Sequence, residues 1–71
     1  MKTNGMHITE IGSTWAVRYD SRDTVHCTLH RVYANRDVDT AVAAFGSGED
    51  EQSALAAAVA DLRREAAAGR I

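Results

Sequence analysis

The sequence predicts a small α+β domain in which a three-stranded antiparallel sheet is packed on one face by a single C-terminal α-helix, in the order β-β-β-α. Apolar and polar residues alternate along three segments between residues 14 and 45, which is the period of a half-buried strand. From Glu49 onward the apolar residues recur with the period of a helix. The 71 residues suffice for one domain, 1–71, in which we expect residues 1–5 to be flexible.

Three consecutive segments make up the predicted sheet. The first covers residues 14–20 (TWAVRYD) and the second covers residues 24–33 (TVHCTLHRVY), with the polar turn SRDT between them. A second polar turn, ANRD, leads to a third strand predicted over residues 38–45 (VDTAVAAF). Residues 6–11 form either the outer part of the first strand or a fourth strand, because Gly12 could form a bulge or a turn.

The helix is predicted from an apolar stripe that follows the acidic residues: Leu55, Val59, Leu62 and Ala66. Ser47 or Gly48 is suited to cap its N-terminus, and Gly69 stands where a left-handed C-cap belongs. Acidic residues precede arginines along the segment, which matches the direction of the helix dipole.

One helix can cover only one face of the sheet. The predicted core between the two layers consists of Trp15, Val17, Val25, Cys27, Leu29, Val42, Leu55, Val59 and Leu62. The opposite face is expected to remain open for a partner, and it carries Arg18, His26, Thr28, His30, Ala41 and Ala43.

Composition restricts the classes of function. The formal charge of −2 and pI near 5.8 provide no general attraction for nucleic acid or an anionic membrane. The single cysteine excludes a disulfide within the chain and is typical of a reducing compartment. No apolar run approaches the roughly 18 residues of a membrane span. These features predict a cytoplasmic protein, located in the host cytosol if it is phage-encoded.

The Gly46-Ser47-Gly48 segment before the helix raises the possibility of a phosphate-binding loop. Such loops use free backbone N–H groups and the positive end of the helix dipole. Here Glu49, Asp50 and Glu51 place three carboxylates where a phosphate would bind. The segment therefore predicts helix capping, and no cofactor is expected.

Candidate metal-binding and catalytic residues have simpler interpretations. His26 and His30 are four residues apart on one strand, or about 13 Å, whereas zinc ligands lie about 2.1 Å from the ion. Cys27 shares its face with apolar residues, which predicts a buried hydrophobic side chain. No nucleophile, base and orienting group occur together, so the sequence predicts neither an enzyme nor a metal site.

The segment GSGEDEQSALAAAVADL resembles the junction between the third strand and the last helix of double-stranded-RNA-binding domains. That resemblance implies the same strand-to-helix topology. The phosphate-binding lysines of that family are replaced by Asp50, Glu51 and Gln52, and its first helix is missing, which argues against RNA binding. The β-β-β-α order is also similar to HicB-type antitoxin domains and to small phage-encoded inhibitors, including anti-CRISPR proteins.

These features predict a non-enzymatic protein-interaction module, in particular a small phage-type, anti-CRISPR-like inhibitor that binds and blocks a larger protein or nucleoprotein complex. A homodimer formed through the sheet is compatible with this interpretation. The alternative is a nucleic-acid-binding or antitoxin-like regulatory domain that uses Arg18, Arg22, Arg31 and Arg36, although interleaved aspartates offset their charge. The residues expected to bind the partner are Arg18, His26, Thr28, His30, Glu49, Asp50 and Glu51.

Overall fold

The computed structural model describes the backbone of residues 2–71 and the side chains from residue 8 onward. One antiparallel sheet has the strand order β1-β2-β3-β4, and a helix packs on one of its faces. The elements are β1 (Lys2–Glu10), β2 (Ser13–Ser21), β3 (Val25–Arg31), β4 (Ala44–Gly48) and α1 (Glu51–Ala67). This arrangement confirms the predicted α+β fold, in its four-stranded form. Within residues 2–71, no helix has the length and apolar character needed to cross a bilayer.

The first hairpin settles the alternative that the sequence left open for residues 6–11. Residues 6–10 belong to β1, which pairs with β2 and has an irregular register between Thr3 and His7. Ile11 and Gly12 form the turn, with φ values of 55° and 72°. Two-residue hairpin turns require such left-handed backbone angles. Of the residues expected to be flexible, Met1 lies outside the described residues and the backbone of residues 2–5 lies in β1.

The third strand was predicted with the wrong bounds. Val38 makes a single bridge to Val32, and β4 then begins only at Ala44, opposite Leu29. Between these two pairings, the five residues 39–43 lie opposite only residues 30 and 31, so residues 39–43 form a large bulge. Val42, predicted to be in the core, lies in this bulge and is 55% exposed. The alternating pattern continues through the bulge, so the pattern alone could not locate it.

The glycine-rich segment was predicted to cap the helix, but Gly46 to Gly48 belong to β4. A Cβ atom added to Gly46 would lie 2.2 Å from the Ala58 backbone nitrogen, so only glycine allows α1 to approach β4 this closely. The cap of α1 is Asp50 rather than Ser47 or Gly48. Its Oδ1 accepts the Ser53 backbone N–H at 2.7 Å.

The C-terminus of α1 was predicted correctly. Gly69 has a φ of 76°, and its N–H donates to the Ala66 carbonyl at 3.1 Å. The Arg70 N–H donates to the Glu65 carbonyl at 2.9 Å. This pair of hydrogen bonds is a Schellman motif, which requires the left-handed residue that glycine supplies.

The core lies between α1 and one face of the sheet. Five predicted core residues are fully buried: Trp15, Val17, Cys27, Leu29 and Leu62. Val25, Leu55 and Val59 are only partly buried, and the core is completed by Tyr19, Ala44, Ala54 and Ala58. The buried stripe of α1 is therefore centred on alanines, because small side chains permit the close approach to β4.

Side chains of α1 also contact the two edge strands, β4 and β1. Asp61 Oδ2 accepts the backbone N–H of Phe45 at 3.0 Å, so the helix provides a partner for an amide of the edge strand β4. Arg63 binds the carboxylate of Glu10 with two nitrogen atoms, at 3.0 and 3.2 Å. These contacts fix the position of the helix across the sheet and leave the opposite sheet face uncovered by α1.

Candidate interaction face

The sheet face opposite α1 is the candidate functional site, and we call it the open face. Because side chains alternate along each strand, the register brings Arg18, Thr28 and Phe45 side by side on β2, β3 and β4. The same register pairs His26 with Ser47. Among the side chains described from residue 8 onward, those of β2, β3 and β4 on the open face include Ala16, Arg18, Asp20, His26, Thr28, His30, Phe45 and Ser47.

One end of the open face is covered by the bulge. His30 is only 3% exposed, and its Nδ1 lies 3.0 Å from the carbonyl oxygens of both Asp39 and Ala41. The prediction that His30 is exposed is therefore wrong, because the bulge folds back over β3 and its carbonyl groups need a donor. Ala41 lies in the bulge, and Ala43 packs against the core rather than on the open face.

The hydrogen bonds of His30 define its role. A carbonyl oxygen can only accept, so Nδ1 carries a proton and donates to the bulge. In the neutral ring, Nε2 then accepts the Thr28 hydroxyl proton, across an Nε2–Oγ1 distance of 2.8 Å. His30 and Thr28 therefore hold the bulge in place, and both were predicted to contact a partner.

Asp39 fixes the bulge from the other side. Its Oδ1 accepts the Ala41 backbone N–H at 3.0 Å and its Oδ2 accepts the Tyr33 hydroxyl at 2.7 Å. These two hydrogen bonds hold the pKa of Asp39 below its usual value, the one from Ala41 having the larger effect. The bulge is thus held in a defined conformation over one half of the face.

The other half of the open face is accessible. It contains a cleft of about 380 Å³, which we call the Arg18 cleft. The Phe45 ring is 49% exposed and stacks on His26, with ring centroids 5.7 Å apart and planes inclined by 21°. His26 Nδ1 is also 2.8 Å from Ser47 Oγ, which fixes the imidazole. The cleft is lined by Arg18, Asp20, Arg22, His26, Thr28 and Phe45.

The charges in this cleft are unevenly matched. Arg22 forms an ion pair with Asp20, at 3.5 Å. Arg18 has no carboxylate within ion-pair distance among the side chains described from residue 8 onward, and its Nε is buried without a hydrogen-bond partner. Arg18 is therefore the unneutralised cation at the centre of the accessible half.

The predicted acidic cluster, Glu49, Asp50 and Glu51, is exposed and directly follows β4. The N–H of Ser53 lowers the pKa of Asp50, so this carboxylate is stabilised as an anion. No described cation forms an ion pair with these three residues. Because Gly48 pairs with Val25, the cluster lies at the same end of the sheet as the turn that carries Arg22.

The structure brings together only part of the predicted binding set. Arg18, His26 and Thr28 adjoin one another, whereas His30 is covered and the acidic cluster lies at the end of the sheet. Sequence reasoning missed Phe45, although the predicted strand over residues 38–45 places it on the same face as Ala41 and Ala43, which were assigned to the open face. The alternation of Phe45 with the small residues on either side of it was the signal that could have identified it.

The arginines proposed for nucleic-acid binding do not form one stripe. The Arg31 guanidinium lies over Trp15, 5.4 Å from the ring centroid, on the same side of the sheet as α1. Arg36 lies in the turn between Val32 and Val38, with a φ of 71°. Arg18 and Arg22 alone line the cleft. Within the part of the open face whose side chains are described, a continuous nucleic-acid backbone therefore meets no row of cations.

Cys27 was correctly predicted to be buried, and its accessible surface is 0%. Burial, with a smaller contribution from the charge of Glu51, raises the pKa of the thiol to about 11. The thiol faces α1, whereas the imidazoles of His26 and His30 lie on the open face, so neither of these two histidines pairs with the thiol. Among the described side chains, no group of three or more potential ligands is arranged to hold a metal ion.

Comparison of the chain with protein families, curated proteins and solved structures found no match. The resemblances to double-stranded-RNA-binding domains, HicB-type antitoxins and anti-CRISPR proteins therefore stay predictions. The glycine-rich turn on which the first resemblance was based is part of β4.

Proposed function

We propose that the protein is a non-enzymatic protein-interaction module that binds a larger partner through the accessible half of its open face. The observation that carries this proposal is an exposed aromatic ring, Phe45, in the same cleft as an arginine, Arg18, that has no ion-pair partner among the described side chains. Aromatic and arginine side chains contribute most to the affinity of many protein interfaces.

The supporting structure reduces the entropy that binding would cost. Phe45 is stacked on His26, and His26 is held by Ser47. His30 and Asp39 hold the neighbouring bulge over the other half of the face. Side chains that are ordered before binding lose little conformational freedom on binding.

The form of the function that we propose is anti-CRISPR-like inhibition of a nucleoprotein complex in the host cytosol. Proteins that hold nucleic acid present clusters of arginine and lysine to it. The exposed carboxylates of Glu49, Asp50 and Glu51 are complementary to such clusters and would increase the rate of association. Binding there would compete with nucleic acid for the same cations. The alternative of direct nucleic-acid binding has less support, because the arginines are dispersed and the formal charge is −2.

The proposal is tested by DNA-cleavage assays with a panel of purified CRISPR effector complexes. The protein at molar excess should abolish cleavage by a target complex and co-elute with it in size-exclusion chromatography. Phe45→Ala should weaken that complex. The control Arg36→Gln, a surface change outside the cleft, should leave it unchanged. If no effector is inhibited, the anti-CRISPR form of the proposal is wrong. If Phe45→Ala binds a target as tightly as the wild type does, the open face is not the interface.

A further inference from the structure

We propose that the Arg18 cleft binds the carboxylate of a single aspartate or glutamate side chain on the partner protein. This inference rests on the proposed function, since it specifies the chemistry of the partner at the same face. It is supported by the unused donors of Arg18, by the charges around the cleft and by the aromatic ring beside it.

Arg18 has donor groups that the side chains described from residue 8 onward leave unused. Its Nε is buried without an acceptor, which is uncommon in folded proteins. The neighbouring polar side chains are already hydrogen-bonded to other groups: the Thr28 hydroxyl to His30 Nε2, and the His26 Nδ1 to the Ser47 hydroxyl. The buried Nε is closed to an outside group, but the two terminal nitrogens of this cleft-lining guanidinium form no hydrogen bond or ion pair with the side chains described from residue 8 onward. Guanidinium groups bind carboxylates with two parallel hydrogen bonds, so a carboxylate from outside the chain can accept from these two nitrogens.

The surrounding charges favour one anionic group over a chain of them. The second cation of the cleft, Arg22, is paired with Asp20. The acidic cluster of residues 49–51 lies at the same end of the sheet. A phosphate backbone bound to Arg18 would place further negative charges near these carboxylates, and like charges repel. An acidic side chain brings one charge only.

The rest of the cleft indicates what accompanies that charge. The Phe45 ring forms one wall and is half exposed, so it offers apolar surface directly beside the guanidinium. An apolar residue next to the acidic one would cover this ring and exclude water from the ion pair. Exclusion of water strengthens such a pair. The preferred ligand is therefore a protein segment with Asp or Glu beside a large apolar residue.

The test uses NMR of the full chain labelled with ¹⁵N, in which the Nε–H of Arg18 gives its own resonance. The probe is the capped peptide Gly-Phe-Glu-Leu-Gly, compared with the same peptide carrying Gln in place of Glu. The Glu peptide should shift the Arg18 resonance saturably, with a dissociation constant on the order of 1 mM. The Gln peptide should bind about tenfold more weakly, since a hydrogen bond to a charged group is lost. Arg18→Gln should abolish binding of the Glu peptide, whereas the control Arg36→Gln should retain it.

A ten-nucleotide oligo-dT is the competing probe. The inference is overturned if the Arg18 resonance does not respond to the Glu peptide, or if the oligonucleotide shifts it at lower concentration than the peptide does. With an inhibited target in hand, equal affinity of wild type and Arg18→Gln overturns this inference alone. Failure to bind any target, in contrast, contradicts the proposed function.

Discussion

The contact between β4 and α1 gives a quantitative prediction about Gly46. A Cβ atom at this position would lie 2.2 Å from the Ala58 nitrogen and 2.6 Å from the Ala54 carbonyl oxygen. Ordinary Cβ contacts begin near 3.4 Å, so Gly46→Ala requires the helix and the strand to separate by about 1 Å. Such a separation would loosen the packing of the buried helix residues, Ala54, Ala58 and Leu62. Overpacking of this kind costs about 3 kcal/mol, which is a large part of the roughly 4–10 kcal/mol expected for a domain of this size.

Urea unfolding measures this cost, with the fluorescence of Trp15, the single and buried tryptophan, as the signal. Gly12→Ala is the matched control, because no atom lies within 4 Å of its added Cβ and only the backbone angle opposes it. We expect the control to lose about 1 kcal/mol. Adding Ala58→Gly should not rescue Gly46→Ala, because the clash is with backbone atoms. If Gly46→Ala is no less stable than Gly12→Ala, then β4 and α1 are not in the close contact described here.

Four further predictions concern individual residues. Ile11→Asn should raise the free energy of unfolding by about 1 kcal/mol in urea titrations, since a β-branched residue at a φ of 55° is replaced by one that tolerates it; an unchanged midpoint would contradict the turn assignment. Cys27 in the native protein should react with Ellman's reagent at pH 8 far more slowly than in the urea-unfolded chain, because a pKa of about 11 leaves about one thiol in a thousand ionised; equal rates would show that the thiol is exposed. Asp50→Ala should lower the Tm by an amount that is greatest near neutral pH. Because the folded-state pKa of Asp50 is lowered, its charged cap stabilises the fold fully above about pH 4 and loses this effect as the pH falls further, so the two melting temperatures should converge in acid. His30→Ala should destabilise the fold by about 2 kcal/mol and speed amide hydrogen exchange in residues 39–43, since two carbonyl groups lose their donor; unchanged exchange there would mean that His30 does not hold the bulge.

The regular part of the fold was accessible from the sequence. Strands β2 and β3 place the predicted residues on the core face, and α1 ends at the predicted glycine C-cap. The buried stripe of α1, in contrast, is centred on Ala54 and Ala58, whereas the predicted Leu55 and Val59 are only partly buried. The remaining errors have two physical causes. The bulge at residues 39–43 depends on His30, which is distant in sequence from the carbonyl groups that it binds. Gly46 and Gly48 were interpreted by their turn propensity, whereas β4 uses them for close contact with a helix.

The candidate site was predictable to a similar extent. Strand periodicity placed Arg18, His26 and Thr28 on one face, because side-chain direction in a strand follows from sequence position alone. The burial of His30 depends on the route of the connecting chain over β3, which periodicity does not encode. The close contact between β4 and α1, in contrast, had an indication in the sequence: Gly46 and Gly48 of β4 face Ala54 and Ala58 of α1. Small residues at such spacings permit backbones to approach.

The hydrogen bond from the Phe45 amide to Asp61 has a consequence for self-association. This bond occupies a backbone donor of the edge strand β4. At the other edge, β1 has a strand neighbour on one side only among the described residues. If two molecules paired by their edge strands, each would then use β1. A strand added at β4 would have to displace this hydrogen bond, so the Asp61 carboxylate disfavours an open row of molecules joined at both edges.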